Sequence, residues 1–191
     1  MIAARPGRAA RSPGRGLARL DEGIRPGYCR SMRVLVTGGV KSGKSSRALE
    51  LARSFAPDRW FLATATPFDD EMRDRIARHR AERDSSFTTV EEPFDIDSAA
   101  RERMILDCVP MWLNNLFFAD REGDWEAILG RFIDRWPDDT VVVTNEIGMG
   151  VIPADPLSRR YGIALGLANA RLAAAADRVE LMVAGIPLKV K

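Results

Sequence analysis

The chain has 191 residues, of which 46% are hydrophobic and 29% are charged, which is ordinary for one globular domain with a substantial core. No apolar run approaches the roughly 20 residues that a transmembrane helix needs, so the sequence predicts no membrane span and a cytoplasmic protein. The two cysteines, Cys29 and Cys108, lie far apart, and they predict neither a disulfide framework nor a zinc site.

The net charge of +2 is unevenly distributed along the chain. Residues 1–31 contain seven arginines and two acids, whereas residues 32–191 contain 22 basic and 25 acidic side chains. Because binding to a nucleic-acid backbone needs clustered Lys and Arg, this slightly acidic body predicts that nucleic acid is not a partner.

The first 31 residues are rich in Arg, Gly, Pro and Ala and have no apolar periodicity, which predicts a disordered basic extension. An arginine-rich arm for anionic partners is one interpretation of this segment. The other is an upstream extension of a protein that begins at Met32, and the position of Met32 directly before the first predicted strand favours it. Residues 32–191 are predicted to form a single nucleotide-binding domain.

From Met32 onward, strand and helix patterns alternate, which predicts an α/β fold with a mostly parallel sheet flanked by helices. In chain order the predicted elements are a strand at 33–37, a helix at 46–52, a strand at 60–64, a helix at 69–84, strands at 87–90 and 103–107, helices at 111–119 and 125–135, a strand at 140–144 and a helix at 156–176. The strand at 140–144 is the most β-branched and is predicted to be central. Two closing strands, 178–184 and 186–190, flank Gly185 and predict an antiparallel hairpin at the sheet edge.

A glycine-rich segment between the first strand and the first helix matches the phosphate-binding loop pattern G-x-x-x-x-G-K-[ST], as in P-loop NTPases. Its glycines let backbone N–H groups point at phosphate oxygens, and the positive end of the following helix adds to that field. Lys44 is expected to reach the β- and γ-phosphates, and the Ser45 hydroxyl is expected to ligate Mg²⁺. The predicted nucleotide-binding residues of this loop are Gly38, Gly39, Val40, Lys41, Ser42, Gly43, Lys44 and Ser45.

Two acids follow predicted strands, where ligands of open α/β sheets bind. Asp107 ends an apolar strand and is predicted to be a second Mg²⁺ ligand beside Ser45, with a polar turn residue as the alternative. Glu146 follows the strand at 140–144 and is predicted to belong to the nucleotide site, where it would position a substrate hydroxyl or a water, or accept a proton. The alternative for Glu146 is an acid in a solvated loop.

His79 is the only histidine in the chain. Met72, Ile76 and His79 fall at spacings of four and three on the predicted helix at 69–84, so they share one face, which is predicted to look inward. From the residues alone, His79 is either a partly buried structural residue or a catalytic one.

Further segments match the pattern of one family. They are residues 32–39, 41–45, 62–65, 69–72, 75–76, 79, 107–108, 112–113, 115–116, 144–153, 169, 171–173 and the closing hairpin. Together they resemble the bifunctional adenosylcobinamide kinase / adenosylcobinamide-phosphate guanylyltransferases over essentially all of residues 32–191.

The resemblance implies an enzyme of cobalamin assembly. Such an enzyme phosphorylates the aminopropanol hydroxyl of adenosylcobinamide with ATP or GTP. It then transfers GMP from GTP through a guanylylated histidine, giving adenosylcobinamide-GDP and pyrophosphate. His79 matches that histidine, and Lys44 is expected to offset the charge on the departing pyrophosphate. The implied partners are the corrinoid, GTP, ATP and Mg²⁺, and the implied assembly is a homotrimer with active sites between subunits.

The chain departs from the family pattern at two places. Val109-Pro110 stands where members usually carry Leu-Thr after the Asp-Cys pair. The late helix has Gly162-Ile163, then Gly166 and Asn169-Ala170, where members commonly have Arg-Asp followed by Gly and Asn-Gln. These departures make a guanylyltransferase with weak or lost kinase activity an alternative. A non-catalytic GTP-binding switch and an unrelated small-molecule kinase are further alternatives.

Overall fold

The computed structural model describes residues 32–67, 70–81 and 85–191, and within residues 70–81 it leaves out the side chains of Glu71, Arg75, His79 and Ala81. The predicted disorder of residues 1–31 lies outside the described residues. The strands are β1 (Arg33–Gly38), β2 (Arg59–Ala63), β3 (Phe87–Glu91), β4 (Met104–Asp107), β5 (Thr140–Val143), β6 (Arg178–Val183) and β7 (Ile186–Lys189). The helices are α1 (Lys44–Ala52), α2 (Asp70–Ala81), α3 (Ile96–Ala99), α4 (Val109–Phe118), α5 (Trp125–Asp134) and α6 (Pro156–Ala175), with a 3₁₀ turn at Glu122–Asp124.

The seven strands form one sheet in the order β3-β2-β4-β5-β1-β6-β7. Every neighbouring pair is parallel except β6 and β7, which pair antiparallel at the edge. The strand β5 lies in the middle of the sheet, and all four of its residues are buried. The predicted α/β class, the central strand and the closing hairpin are thus confirmed.

The structure differs from the predicted elements in several places. Helix α4 begins at Val109, two residues before its predicted start, because a proline such as Pro110 is tolerated in the first turn of a helix. Helix α3 is a single turn, which is too short to produce a periodic apolar pattern, and it was not predicted. Helix α1 begins at Lys44, two residues earlier than predicted. Its N-cap, Gly43, has a left-handed backbone conformation with a φ of 96°, so the chain enters the helix directly from the glycine-rich loop.

The core consists of two layers, one on each face of the sheet. Alternate residues of a strand point to opposite faces, and β1 illustrates this: Leu35 packs with the helices α4, α5 and α6, whereas Val34 and Val36 pack toward Ala48 of α1. Burying an aliphatic side chain of this size contributes about 1.5–3 kcal/mol. The layer with α1 therefore holds the first helix, and the loop before it, against the sheet. No helix that the structure describes is long and apolar enough to cross a membrane.

Candidate functional site

The loop from Gly38 to Ser45 connects the carboxyl end of β1 to the amino end of α1. Gly38 and Gly43 both have positive φ values, 145° and 96°. At Gly38 an added Cβ would lie 2.5 Å from the backbone oxygen of Met182, so the close approach of β6 requires glycine there. Helix α1 has no side-chain N-cap and no acid in its first turn. Its amino end is therefore available to an anion, as phosphate binding requires.

Lys44 lies over this loop. Its ammonium nitrogen Nζ donates a hydrogen bond of 2.5 Å to the carbonyl oxygen of Gly39, and the residue is 8% exposed. The following residue, Ser45, is half-buried at the start of the helix. The positive charge of Lys44 is thus held at the mouth of the loop, where phosphate groups would lie.

The acids predicted for the site lie at the carboxyl ends of the parallel strands, as the loop does. In the parallel register, Asp107 of β4 aligns with Val143 of β5, which aligns with Val36 of β1. Asp107 is half-buried, and the strand β5 lies between its own strand, β4, and β1. The backbone N–H of Glu146 donates to the Gly38 carbonyl at 3.2 Å, so the structure brings Glu146 directly to the loop.

Helix α2 contains His79, whose side chain lies outside the described residues. Met72 and Ile76, the two residues predicted to share its face, are half-buried, while the described residues between and beside them on α2 are exposed. Met72 and Ile76 therefore lie on the side of α2 that faces the protein. The predicted role of His79 stays a prediction.

A buried polar network that sequence reasoning missed joins β2 to β4. The Thr64 hydroxyl donates to the Cys108 carbonyl at 2.8 Å and accepts from the Cys108 N–H at 2.9 Å. The Asn115 side-chain amide, on α4, donates to the Thr64 carbonyl at 2.7 Å. Cys108 directly follows Asp107, so these bonds hold the end of β4 that carries this acid. The signal that could have revealed them is an asparagine on an otherwise apolar helix.

A second network that was not predicted joins α6 to the end of β5. The Thr144 hydroxyl donates to Asn169 Oδ1 at 2.7 Å, and Asn169 Nδ2 donates to the carbonyl of Asn145 at 2.9 Å. Thr144 is fully buried and Asn169 nearly so. Since Asn145 precedes Glu146, the helix α6 fixes the backbone from which Glu146 projects. The sequence resemblance included Asn169 but gave it no role.

An apolar cleft of about 610 Å³ opens between the end of α4, the loop at 147–153 and the start of α6. Aromatic and aliphatic residues form most of its lining, including Phe117, Phe118, Ile147, Val151, Tyr161 and Ile163. The loop that forms one wall begins directly after Glu146, whose backbone N–H bonds to the Gly38 carbonyl, so Glu146 links this wall to the phosphate-binding loop.

The two departures from the family pattern lie near each other, and one of them lines this cleft. Gly162 and Ile163 line it. The Tyr161 hydroxyl donates to the carbonyl of Pro110 at 2.9 Å, and burial raises the pKa of this hydroxyl, which keeps it neutral as a donor. The segments at 109–110 and 162–163 are therefore connected through this hydrogen bond, and the phosphate-binding loop takes no part in it.

Comparisons with known proteins agree on one family. The family model described as cobinamide kinase / cobinamide phosphate guanyltransferase matches residues 34–190. The bifunctional adenosylcobalamin biosynthesis protein CobP of Pseudomonas aeruginosa is 37% identical over 170 residues, covering 84% of this chain and 98% of that protein. Two proteins named bifunctional adenosylcobalamin biosynthesis protein CobU, from Salmonella typhimurium and Escherichia coli, are 38% and 37% identical over 182 residues, covering 84% of this chain and 100% of each relative.

Among solved structures, a chain from a study of an ATPase of the type III secretion system overlaps with a TM-score of 0.43 at 9% identity, covering 80% of this chain and 51% of that chain. That likeness is too distant to bear on function. The family match over residues 34–190 includes the loop, the acids and the cleft alike. The chain therefore belongs to the cobinamide kinase / cobinamide phosphate guanyltransferase family.

Proposed function

We propose that this chain catalyses two transfers. It phosphorylates adenosylcobinamide with ATP or GTP, and it transfers GMP from GTP to the resulting adenosylcobinamide phosphate. The family match over residues 34–190 carries the proposal. Three relatives named as bifunctional support both activities rather than a guanylyltransferase that has lost the kinase step.

The phosphate-binding loop would serve both reactions. The uncapped amino end of α1 and the ammonium of Lys44 supply positive potential at one place. In the kinase reaction this potential offsets charge on the γ-phosphoryl group in transit, and in guanylyl transfer it offsets charge on the departing pyrophosphate. One nucleotide position with two reacting phosphorus atoms therefore explains how a single loop supports both steps.

In guanylyl transfer, a ring nitrogen of neutral His79 would attack the α-phosphorus of GTP. The bond from that phosphorus to the bridging oxygen breaks, and pyrophosphate leaves with the electron pair. A phosphate oxygen of adenosylcobinamide phosphate then attacks the same phosphorus, the N–P bond breaks, and His79 is regenerated. An imidazole with a reference pKa near 6.5 is largely neutral, and so nucleophilic, at pH 7 and above.

In the kinase step, the corrinoid hydroxyl oxygen would attack the γ-phosphorus, and the bond to the β–γ bridging oxygen breaks. The hydroxyl proton needs an acceptor, and we assign this role to Glu146. The backbone N–H of Glu146 donates to the Gly38 carbonyl at 3.2 Å, so the backbone that carries this carboxylate lies beside the phosphate-binding loop.

Mg²⁺ fits the oxygen donors present at this edge of the sheet. We assign the Ser45 hydroxyl and the Asp107 carboxylate as its protein ligands, because Mg²⁺ prefers oxygen and is usually held by one or two protein groups together with phosphates and water. No group of three His, Cys, Asp or Glu side chains with metal-binding geometry occurs among the residues that the structure describes. When bound, Mg²⁺ would neutralise negative charge on the nucleotide phosphates.

We propose that the apolar cleft holds the corrinoid. Its lining suits the apolar surface of a large macrocycle, and one of its walls is the loop at 147–153, which directly follows Glu146. Several lining side chains remain open to solvent, among them Phe118 at 70% and Val151 at 96% exposed. Such exposure supports contact with a second subunit at this cleft. We propose the homotrimer that the family resemblance implies, and light scattering of the purified protein would test it. The need for ATP and GTP supports a cytoplasmic location.

A labelling experiment tests the proposed function. The protein is incubated with GTP labelled at the α-phosphate, and acid-labile label on the protein is measured. We expect label on the unaltered protein and on Ala77→Ser, an exposed control on the same helix, and none on His79→Ala. Absence of label on the unaltered protein would refute guanylyl transfer through His79. Transfer of γ-phosphate to adenosylcobinamide tests the kinase step separately, and Lys44→Ala is expected to abolish both.

A further inference from the structure

A buried carboxylate that neither transfer reaction uses lies behind the phosphate-binding loop. Glu180 of β6 is 1% exposed and points to the face of the sheet that α1 covers. The Arg47 guanidinium binds it with two parallel hydrogen bonds, Nε to Oε2 at 2.9 Å and Nη2 to Oε1 at 3.0 Å. Arg178 forms a second ion pair with it. Burial by itself would raise the pKa of Glu180, but the Arg47 hydrogen bonds and the charges of both arginines outweigh burial and lower it.

Arg47 belongs to the first turn of α1. Its backbone N–H donates to the Gly43 carbonyl at 3.0 Å, which is the first hydrogen bond of the helix after the loop. Its side chain is 15% exposed and also pairs with Glu50 at 2.9 Å. The contact with Glu180 therefore ties the turn that contains Lys44 and Ser45 to a strand 133 residues further along the chain.

The same strand and its turn contact the loop at two more points. The backbone carbonyl of Met182 packs so closely against Gly38 that only glycine fits. Beyond β6, the backbone N–H of Gly185 donates to the Ser42 carbonyl at 3.1 Å, with Gly185 at a φ of 83°. The beginning, the middle and the helical end of the loop are each held from one side, by β6 or by the turn that follows it.

We propose that β6 and the turn at 184–185 form a brace that holds the phosphate-binding loop in its binding conformation, with Glu180 as a positioning residue that acts through Arg47. The proposal rests on the proposed binding of GTP at this loop. If the loop is already ordered, GTP binding does not have to offset the conformational entropy lost on ordering it. If the loop becomes ordered only on binding, that lost entropy weakens the affinity for GTP. Loss of the brace should therefore weaken GTP binding, while the bound complex reacts at its usual rate.

The test replaces the ion pair by an apolar pair of similar volume, Arg47→Met with Glu180→Leu, so that neither of these two positions keeps a charge. Arg178 loses its contact with Glu180 in this variant, but its side chain is 32% exposed and can be solvated. Pyrophosphate release is followed at varied GTP concentration with adenosylcobinamide phosphate in excess, so that His79 is regenerated in each cycle, and folding is checked by thermal unfolding. We expect KM for GTP to rise about tenfold, with kcat within about twofold of the unaltered protein. Arg47→Lys keeps the charge and loses the paired hydrogen bonds, so its KM for GTP should lie between that of the unaltered protein and that of the apolar-pair variant.

The matched control is Asp177→Asn, which removes the pair between Arg33 and Asp177 (3.1 Å) at the opposite end of β1 and β6. Its KM should not change. An unaltered KM in the folded apolar-pair variant, an equal rise in Asp177→Asn, or a fall in kcat at constant KM would each overturn the brace. Should the apolar pair fail to fold, an unaltered KM in Arg47→Lys overturns it instead. No GTP binding by the unaltered protein would overturn the proposed function itself.

Discussion

At the residue scale, the two glycines that open the phosphate-binding loop meet different surroundings. A Cβ on Gly38 would lie 2.5 Å from the Met182 carbonyl oxygen, and its φ is 145°. A Cβ on Gly39 would meet no heavy atom within 4 Å. The sequence pattern treats the first of these positions as fixed and the second as variable, and the packing against β6 supplies the reason.

This difference gives a stability prediction. Gly38→Ala should lower the free energy of unfolding by about 1–3 kcal/mol or more, because the new methyl group meets backbone and the backbone conformation is unfavourable for alanine. Gly39→Ala should change it by less than about 0.5 kcal/mol. Urea unfolding followed by circular dichroism measures both. Equal midpoints for the two variants would contradict the packing argument.

At the element scale, α6 and β5 are joined by side chains as well as by apolar packing. The bond from the Thr144 hydroxyl to Asn169, and the bond from Asn169 to the Asn145 carbonyl, form a connected buried pair. Each bond leaves an unsatisfied group if its partner is removed, at a cost of about 1–3 kcal/mol. The position of Glu146 next to the loop therefore depends on a residue of the following helix, 25 positions beyond Thr144.

A double-mutant cycle measures this coupling. Thr144→Val and Asn169→Leu should each destabilise the protein by about 1–3 kcal/mol, because each leaves the other group unpaired. The double variant should be less destabilised than the sum, by about 0.5–3 kcal/mol, since both polar groups are then absent. Strict additivity in urea unfolding would show that the two side chains do not act as a pair.

At the scale of the whole molecule, the buried ion pair makes stability depend on pH. The folded-state pKa of Glu180 lies below its reference value of 4.5, because the hydrogen bonds and charges of Arg47 and Arg178 outweigh burial. The folded protein therefore binds this proton more weakly than the unfolded chain. The contribution is fully present above the unfolded pKa and is lost as pH falls through the folded one.

We accordingly expect the free energy of unfolding to fall as pH is lowered from 6 toward 3, and to fall less steeply in the Arg47→Met, Glu180→Leu variant, because that variant has no carboxylate to protonate there. Chemical unfolding at several pH values provides the measurement. Asp177→Asn serves as the comparison, since its pair is exposed and should contribute little. An acid slope in the apolar-pair variant as steep as in the unaltered protein would contradict the assignment.

Much of the fold followed from local patterns. The β-branched run at 140–144 marked the central strand, and the short link at Gly185 marked the hairpin, because each depends on near neighbours in the chain. The single turn α3 was missed because four residues carry no period. For the site, the loop pattern predicted Lys44 and Ser45, and the end of a strand indicated Asp107. An asparagine on the otherwise apolar helix α4 was a weak local signal for Asn115, but neither Asn115 nor Asn169 carried any sign of which distant groups it would bind. The single-domain assignment of residues 32–191 and the role of His79 stay predictions.

The sequence by itself determined the chemistry of the loop, the α/β alternation and the family, because these properties depend on residue type and on spacing along the chain. Only the tertiary structure decided which distant residues stand behind the loop. Arg47 and Glu180 are 133 positions apart, and neither belongs to a recognisable motif. Their contact exists because β1 and β6 are neighbours in the sheet, so that the strand after the last helix lies beside the strand that begins the site.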